Sequence, residues 1–213
     1  MAKLHNGVFG PFSGKLGPLV GASWKNIPYL RSLPTKKPGR SQTPAQLACQ
    51  QKFKFVTEWL VPFHPFVTVG FQNLAQRRTE INAAFSINYK EAITGVYPYL
   101  GVDYSKVKLS KGPLPELVDP ELHLKAPNVL ELRWSQHQLL HAAYDDQLML
   151  VLYSPELKIA DGFIGGVKRA DLSCEFKFNP KMVGKTLEAY VALVSLNGKK
   201  IANSSYLGKV GPL

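Results

Sequence analysis

The sequence predicts an α+β protein, with an N-terminal β-hairpin and about three helices over residues 1–112 and a β-sandwich over 121–213. Three observations predict it. Two short apolar runs flank Lys25-Asn26 behind a glycine-dense opening. Ala45, Cys49, Phe53, Val56 and Leu60 then recur at spacings of 4, 4, 3 and 4, which is one face of a helix. From about residue 121 the apolar period changes to two, and Asn197-Gly198 joins two alternating runs, the strongest short-range hairpin signal.

The elements follow in order. Gly7, Gly10, Gly14, Gly17 and Gly21 punctuate the opening and favour turns and close backbone approach over helix. Residues 19–24 and 27–33 form the hairpin strands, and Pro28 confines the second to an edge. Residues 34–42 hold two prolines, a glycine and three cations, and read as an exposed basic loop. Thr43 then caps a helix, with Pro44 at its first position, Gln46 completing a capping box, and Pro62 ending it. Residues 65–78 and 79–94 read as a second and third helix; Thr79 caps the third and Gly95 stops it. Phe66, Phe71, Phe85 and Tyr89 suit a core shared by these helices.

Residues 104–110 alternate as a strand, and 112–120, with three prolines and two carboxylates, read as a linker. Strands are expected at 123–125, 129–134, 147–153, 170–178, 186–195 and 201–210. Short strands separated by turn signals make a β-sandwich.

Charge is distributed unevenly. The chain carries a net charge of +11, yet residues 1–57 hold nine Lys or Arg and no Asp or Glu; the first carboxylate is Glu58. Such a segment attracts polyanions, or it serves solubility and pairs with the acidic half of its own chain. The candidate polyanion-binding residues are Lys15, Lys25, Arg31, Lys36, Lys37 and Arg40, with Trp24 and Tyr29 interleaved. Aromatic side chains beside cations on a strand grip single-stranded nucleic acid; the alternative is that both aromatics belong to the core. No RNP motif, helix-turn-helix spacing or zinc-finger pattern is present.

Cys49 and Cys174 form no CxxC pair and are expected to be two buried free thiols. The N-terminus lacks the continuous apolar stretch of a signal peptide, and no run reaches the length of a membrane helix, so the expected location is cytoplasmic and no membrane partner is expected. Gly10-Pro-Phe-Ser-Gly-Lys-Leu16 is one residue short of a P-loop, with Leu16 where a hydroxyl must meet magnesium. His137 and His141 lie four apart, but Gln138 replaces the glutamate of a hydrolytic zinc motif, and a polar loop is expected there. No nucleophile elbow or buried carboxylate pair is indicated. The sequence therefore points to no catalytic residue, cofactor, metal or small-molecule substrate, and to a protein that is not an enzyme.

Four stretches carry a family resemblance. They are the opening Gly7-Val-Phe-Gly-Pro-Phe-Ser-Gly-Lys-Leu-Gly17 with Val20-Gly-Ala-Ser-Trp24; Ile27-Pro-Tyr-Leu-Arg-Ser-Leu-Pro34 with Thr43-Pro-Ala-Gln46; Asn82-Ala-Ala-Phe85 with Ala92-Ile-Thr-Gly95; and Asp103-Tyr-Ser-Lys-Val107. Over its whole length the chain resembles domain-of-unknown-function family 6266, uncharacterised proteins found mainly in Bacteroidetes. The resemblance implies no activity and no functional residues.

A second resemblance covers 121–213. Leu130-Glu-Leu-Arg-Trp134 is similar to the Trp-bearing second strand of a fibronectin type III module. Glu188-Ala-Tyr-Val-Ala-Leu-Val194, with Asn197-Gly198 and Asn203-Ser-Ser205, is similar to its last two strands. It implies a fibronectin- or immunoglobulin-like sandwich of the kind used for interaction or spacing. The expected function is a structural or interaction protein with a protein partner or self-association, in an assembly of mobile-element or phage origin. The alternative is a nucleic-acid-binding accessory protein, and a third reading is an enzyme centred on His137 and His141.

Overall fold

Residues 3–4, 10–24, 26–34, 42–75, 78–136 and 142–211 are described by the structure, a computed structural model. The fold is mixed α and β, with antiparallel sheets, one long helix and shorter ones. The chain divides into two units, Met1–Thr43 and Pro44–Leu213. The expected division was 1–112 and 121–213; instead, the helices share one buried core with a sheet of the C-terminal half.

The first unit is a sheet of four strands in sequence order, β1 (Lys3–Leu4), β2 (Phe12–Leu16), β3 (Leu19–Trp24) and β4 (Ile27–Ser32). The predicted hairpin is β3–β4, paired from Leu19↔Ser32 to Trp24↔Ile27. The sequence reading missed β2, because its glycines read as turns. Gly21 is required by a close approach: a Cβ there would lie 2.0 Å from the carbonyl oxygen of Phe12.

The second unit begins with α1 (Pro44–Leu60), which runs into a 3-10 turn at Val61–Phe63, as Pro62 predicts. Val56, Trp59 and Leu60 are buried, but Phe53 is 57% exposed and Cys49 is exposed, so the predicted apolar face is covered only in its second half. Then come α2 (His64–Gly70) and α3 (Glu80–Glu91). Thr79 caps α3 as expected, its hydroxyl accepting from the Asn82 N–H at 3.2 Å.

Two helix boundaries differ from expectation. The second helix stops at Gly70, and the chain continues into a 3-10 turn at Gln72–Leu74; the backbone of Leu109 lies against Gly70, where a Cβ would meet the Leu109 carbonyl oxygen at 2.1 Å. The third stops at Glu91, and Ile93–Val96 (β5) pairs with Tyr99–Val102 (β6) as a hairpin in which Gly95 has φ +81°. The predicted strand at 104–110 is a 3-10 turn, Tyr104–Lys106, followed by extended chain. That chain is held by Asn88, whose amide donates to the Lys108 carbonyl at 2.8 Å and whose oxygen accepts from the Lys108 N–H at 2.9 Å.

Seven further strands make two sheets. One is ordered β11-β8-β7, from β7 (Val118–Ala126), β8 (Val129–Ser135) and β11 (Ser173–Lys177). The other is ordered β10-β9-β12-β13, from β9 (Gln147–Ser154), β10 (Ile159–Lys168), β12 (Leu187–Val194) and β13 (Ser205–Val210). The side chains of β9 divide by parity, as strand geometry requires. Leu148 and Leu150 meet Leu132 and Trp134 of the other sheet; Met149, Val151 and Tyr153 meet Val56, Phe63 and Phe71 of the helical layer. The four-stranded sheet is therefore the middle of three layers, which is why β9 is apolar without interruption from Leu148 to Tyr153 and every residue of β12 is buried.

The segment expected as a linker is packed into this unit. Leu114 and Leu117 are buried, and the Leu114 N–H donates to the Ile201 carbonyl at 3.0 Å. Arg169 ties it down, donating to the Pro115 carbonyl at 2.8 Å while pairing with the buried carboxylate of Asp146 at 3.2 Å. The Trp134 indole donates to the Arg169 carbonyl at 2.7 Å. The Asn197-Gly198 turn stands where predicted, with the Ser195 N–H donating to the Lys200 carbonyl at 2.8 Å.

Candidate functional site

The sequence-derived candidates fall in the first unit. Lys25, Lys36, Lys37 and Arg40 lie outside the described residues, as do His137 and His141. Lys15 and Arg31 are described, and strand register brings them together. In antiparallel sheets, residues directly opposite share a face, and next-but-one residues along a strand do too. Lys15 pairs with Val20, and Val20 with Arg31, so the two cations flank one row across β2, β3 and β4. Neighbouring strands lie about 4.8 Å apart, which puts these two backbone positions about 10 Å apart.

The next rows of the same face are Ala22 with Tyr29 and Trp24 with Ile27. Tyr29 therefore stands beside Arg31 along β4, and Trp24 lies one further row away on β3. Trp24 is 44% and Tyr29 46% exposed. The alternative that these two aromatics are core residues does not hold for their exposed rings. The other two tryptophans, Trp59 and Trp134, are buried. No Asp or Glu occurs in Met1–Thr43, so the unit offers Lys15 and Arg31 no carboxylate of its own.

The opposite face is apolar. Leu16 pairs with Leu19, and Leu30 with Gly21, in rows that alternate with those of the cations. All three leucines are exposed. Every residue of β4 is exposed, so this sheet presents both faces outward. Sequence reasoning found Trp24, Tyr29 and the cations but not these leucines. The signal was weak: Leu16 follows Lys15, but Leu19 stands beside Val20 and Leu30 beside Tyr29, so no clean alternation marks them.

In the second unit, several buried titratable groups are held in neutral or paired forms. The Cys174 thiol is pushed up to about 11 by burial, which leaves it protonated near neutral pH and a poor nucleophile. Cys49 and Cys174 are both free thiols; Cys49 is exposed, contrary to the expectation that both are buried. The Tyr153 hydroxyl is pushed up to about 12 by burial. Tyr206 donates to the buried carboxylate of Glu188, and burial together with that contact raises its pKa. Among the described residues no three His, Cys, Asp or Glu side chains form a group able to hold a metal ion, and no helix is long and apolar enough to cross a membrane.

A family model described as a family of unknown function, DUF6266, matches residues 11–208. No curated protein matches the chain.

Proposed function

The chain belongs to the DUF6266 family of unknown function, and from that premise we propose that it is a non-enzymatic interaction protein whose N-terminal sheet is its contact surface. One observation carries this reading: β2, β3 and β4 present large side chains on both faces, with Leu16, Leu19 and Leu30 exposed on one and Trp24 and Tyr29 on the other. Fully burying an exposed leucine contributes about 1.5–3 kcal/mol; these three are 58%, 42% and 59% exposed, so covering what remains contributes roughly half of that each. Exposed apolar patches of this kind mark interaction sites.

The rest of the chain suits a scaffold. In order along the sandwich, strands one, two and five form one sheet, and three, four, six and seven the other. An immunoglobulin constant domain puts the fourth strand with the first sheet instead. That difference supports a fibronectin type III reading, as does Trp134 on the second strand. We read the sandwich as fibronectin-like, and the location as cytoplasmic.

Sedimentation velocity tests the proposal, on the intact chain over a wide concentration range and on the chain as recovered from the cells that make it. The expected result is a species heavier than the 23.6 kDa monomer. It is lost in the Leu19→Lys/Leu30→Lys variant while the melting of the second unit is unchanged. A monomer under both conditions, or a heavier species indifferent to the double substitution, contradicts the proposal.

A further inference from the structure

We propose that the face formed by Lys15, Trp24, Tyr29 and Arg31 binds single-stranded nucleic acid, the cations taking backbone phosphates and the two aromatic rings stacking on bases. This rests on the reading of the N-terminal sheet as a contact surface and names the partner of one of its faces.

Four observations converge. The first is placement: the register across β2, β3 and β4 puts all four side chains on one face, opposite the leucines. The second is charge. The unit carries seven Lys or Arg and no Asp or Glu, so the positive potential of this face is not cancelled within the unit. The third is the state of the aromatics. Trp24 and Tyr29 are about half exposed, whereas Trp59 and Trp134 are 8% and 5% exposed in the core of the second unit. Half-exposed rings beside cations offer what single strands need, a π-surface for each base and a positive charge for the adjoining phosphate. The fourth is shape. The described residues of the unit form a sheet and no helix, and a sheet face can lie along unpaired bases. An acidic protein face would satisfy the charge and make no use of two rings in the rows next to the cations.

The rings also supply a direct readout. Trp24 is the one exposed tryptophan of the three, so a base stacking on it changes the intrinsic fluorescence while the two buried indoles are indifferent.

The test uses the full chain with a labelled oligothymidylate, the matching RNA, a duplex of equal length, and poly-glutamate as a polyanion without bases. Anisotropy and tryptophan fluorescence are read at several salt concentrations. The expected result is a Kd of about 10 μM or tighter for the single strands at about 150 mM salt, with quenching of the tryptophan signal. Lys15→Gln/Arg31→Gln flattens the salt slope by about 1.4, the value for two phosphates on a single strand. Tyr29→Ala weakens binding about tenfold and leaves the slope unchanged, while Tyr29→Phe restores it. Trp24→Phe abolishes the quenching and retains binding.

No binding at about 150 mM salt overturns the proposal. So does a salt slope unchanged in the double variant, or full affinity in Tyr29→Ala. Tighter binding of poly-glutamate than of either single strand overturns it as well and assigns the face to an acidic protein. The leucine-face variant separates the two readings. If nucleic acid fails to bind but Leu19→Lys/Leu30→Lys still abolishes association, the contact surface stands and only its proposed ligand falls.

Discussion

Gly21 is the residue on which the N-terminal sheet depends most directly. It sits in β3 under the Phe12 carbonyl, and no side chain fits between them. Gly21→Ala therefore displaces β2, the strand that delivers Lys15 and Leu16, at a cost of about 1–3 kcal/mol for overpacking. The expected outcome is faster proteolytic cleavage within 12–32 and a red-shifted Trp24 emission, with the melting of the second unit unchanged. Unaltered cleavage and emission would show that the Phe12 backbone yields without consequence. At this scale much was legible from the sequence. Lys15, Trp24, Tyr29 and Arg31 stand out because cations and aromatics alternate in an acid-free stretch. Their common face was legible only for β3 and β4, where the predicted turn at Lys25-Asn26 sets the register. Lys15 joins them through β2, whose glycines hide the strand.

At the scale of elements, local patterns were reliable where the cause is local. Pro44 and Pro62 bound α1, Thr79 caps α3, and Asn197-Gly198 turns the chain between β12 and the bridge at Ile201. They failed where the cause lies far along the chain. The second helix ends at Gly70, where the distant backbone of Leu109 packs too closely for a side chain, and no helical periodicity announces that contact. The strand β10 was missed because Gly162, Gly165 and Gly166 dilute its alternation, and its register shifts between Ile164 and Lys168.

The strands β9, β12 and β13 also carry a titration. Burial raises the pKa of Tyr153, Tyr190 and Tyr206, which are on these three strands in order. The Tyr190 hydroxyl donates to the Tyr104 carbonyl at 2.9 Å, and that of Tyr206 to Glu188. A tyrosine ionises near pH 10 when unfolded. A folded pKa above that value leaves the stabilisation complete below about pH 10, and it is lost as pH rises beyond. Melting of the second unit, followed from pH 8 to 12, is expected to be level to about pH 10 and then to fall steeply. A decline that begins at pH 8, or none by pH 12, would contradict the burial of these hydroxyls.

Across the whole molecule, the two units divide the work of the sequence differently. Met1–Thr43 holds seven of the eleven excess charges and exposes both faces of its sheet. Pro44–Leu213 buries its apolar residues in three layers and pairs its interior charges, as Arg169 does with Asp146. The sequence suggested a boundary near 112–120 because proline and acid gather there. Leu114 and Leu117 nonetheless pack inward, and the uninterrupted run from Leu148 to Tyr153 was the sign that one sheet is covered on both sides. Periodicity marks a strand, but it does not say which distant element covers each face.

The claim that the N-terminal sheet is the contact surface is tested most directly by hydrogen exchange. The intact chain would be measured alone and in the complex recovered from its cells. The account predicts slowed exchange within 12–32 in the complex and unchanged exchange from 118 to 210. Unchanged exchange across 12–32, with new protection confined to 44–211, would contradict it.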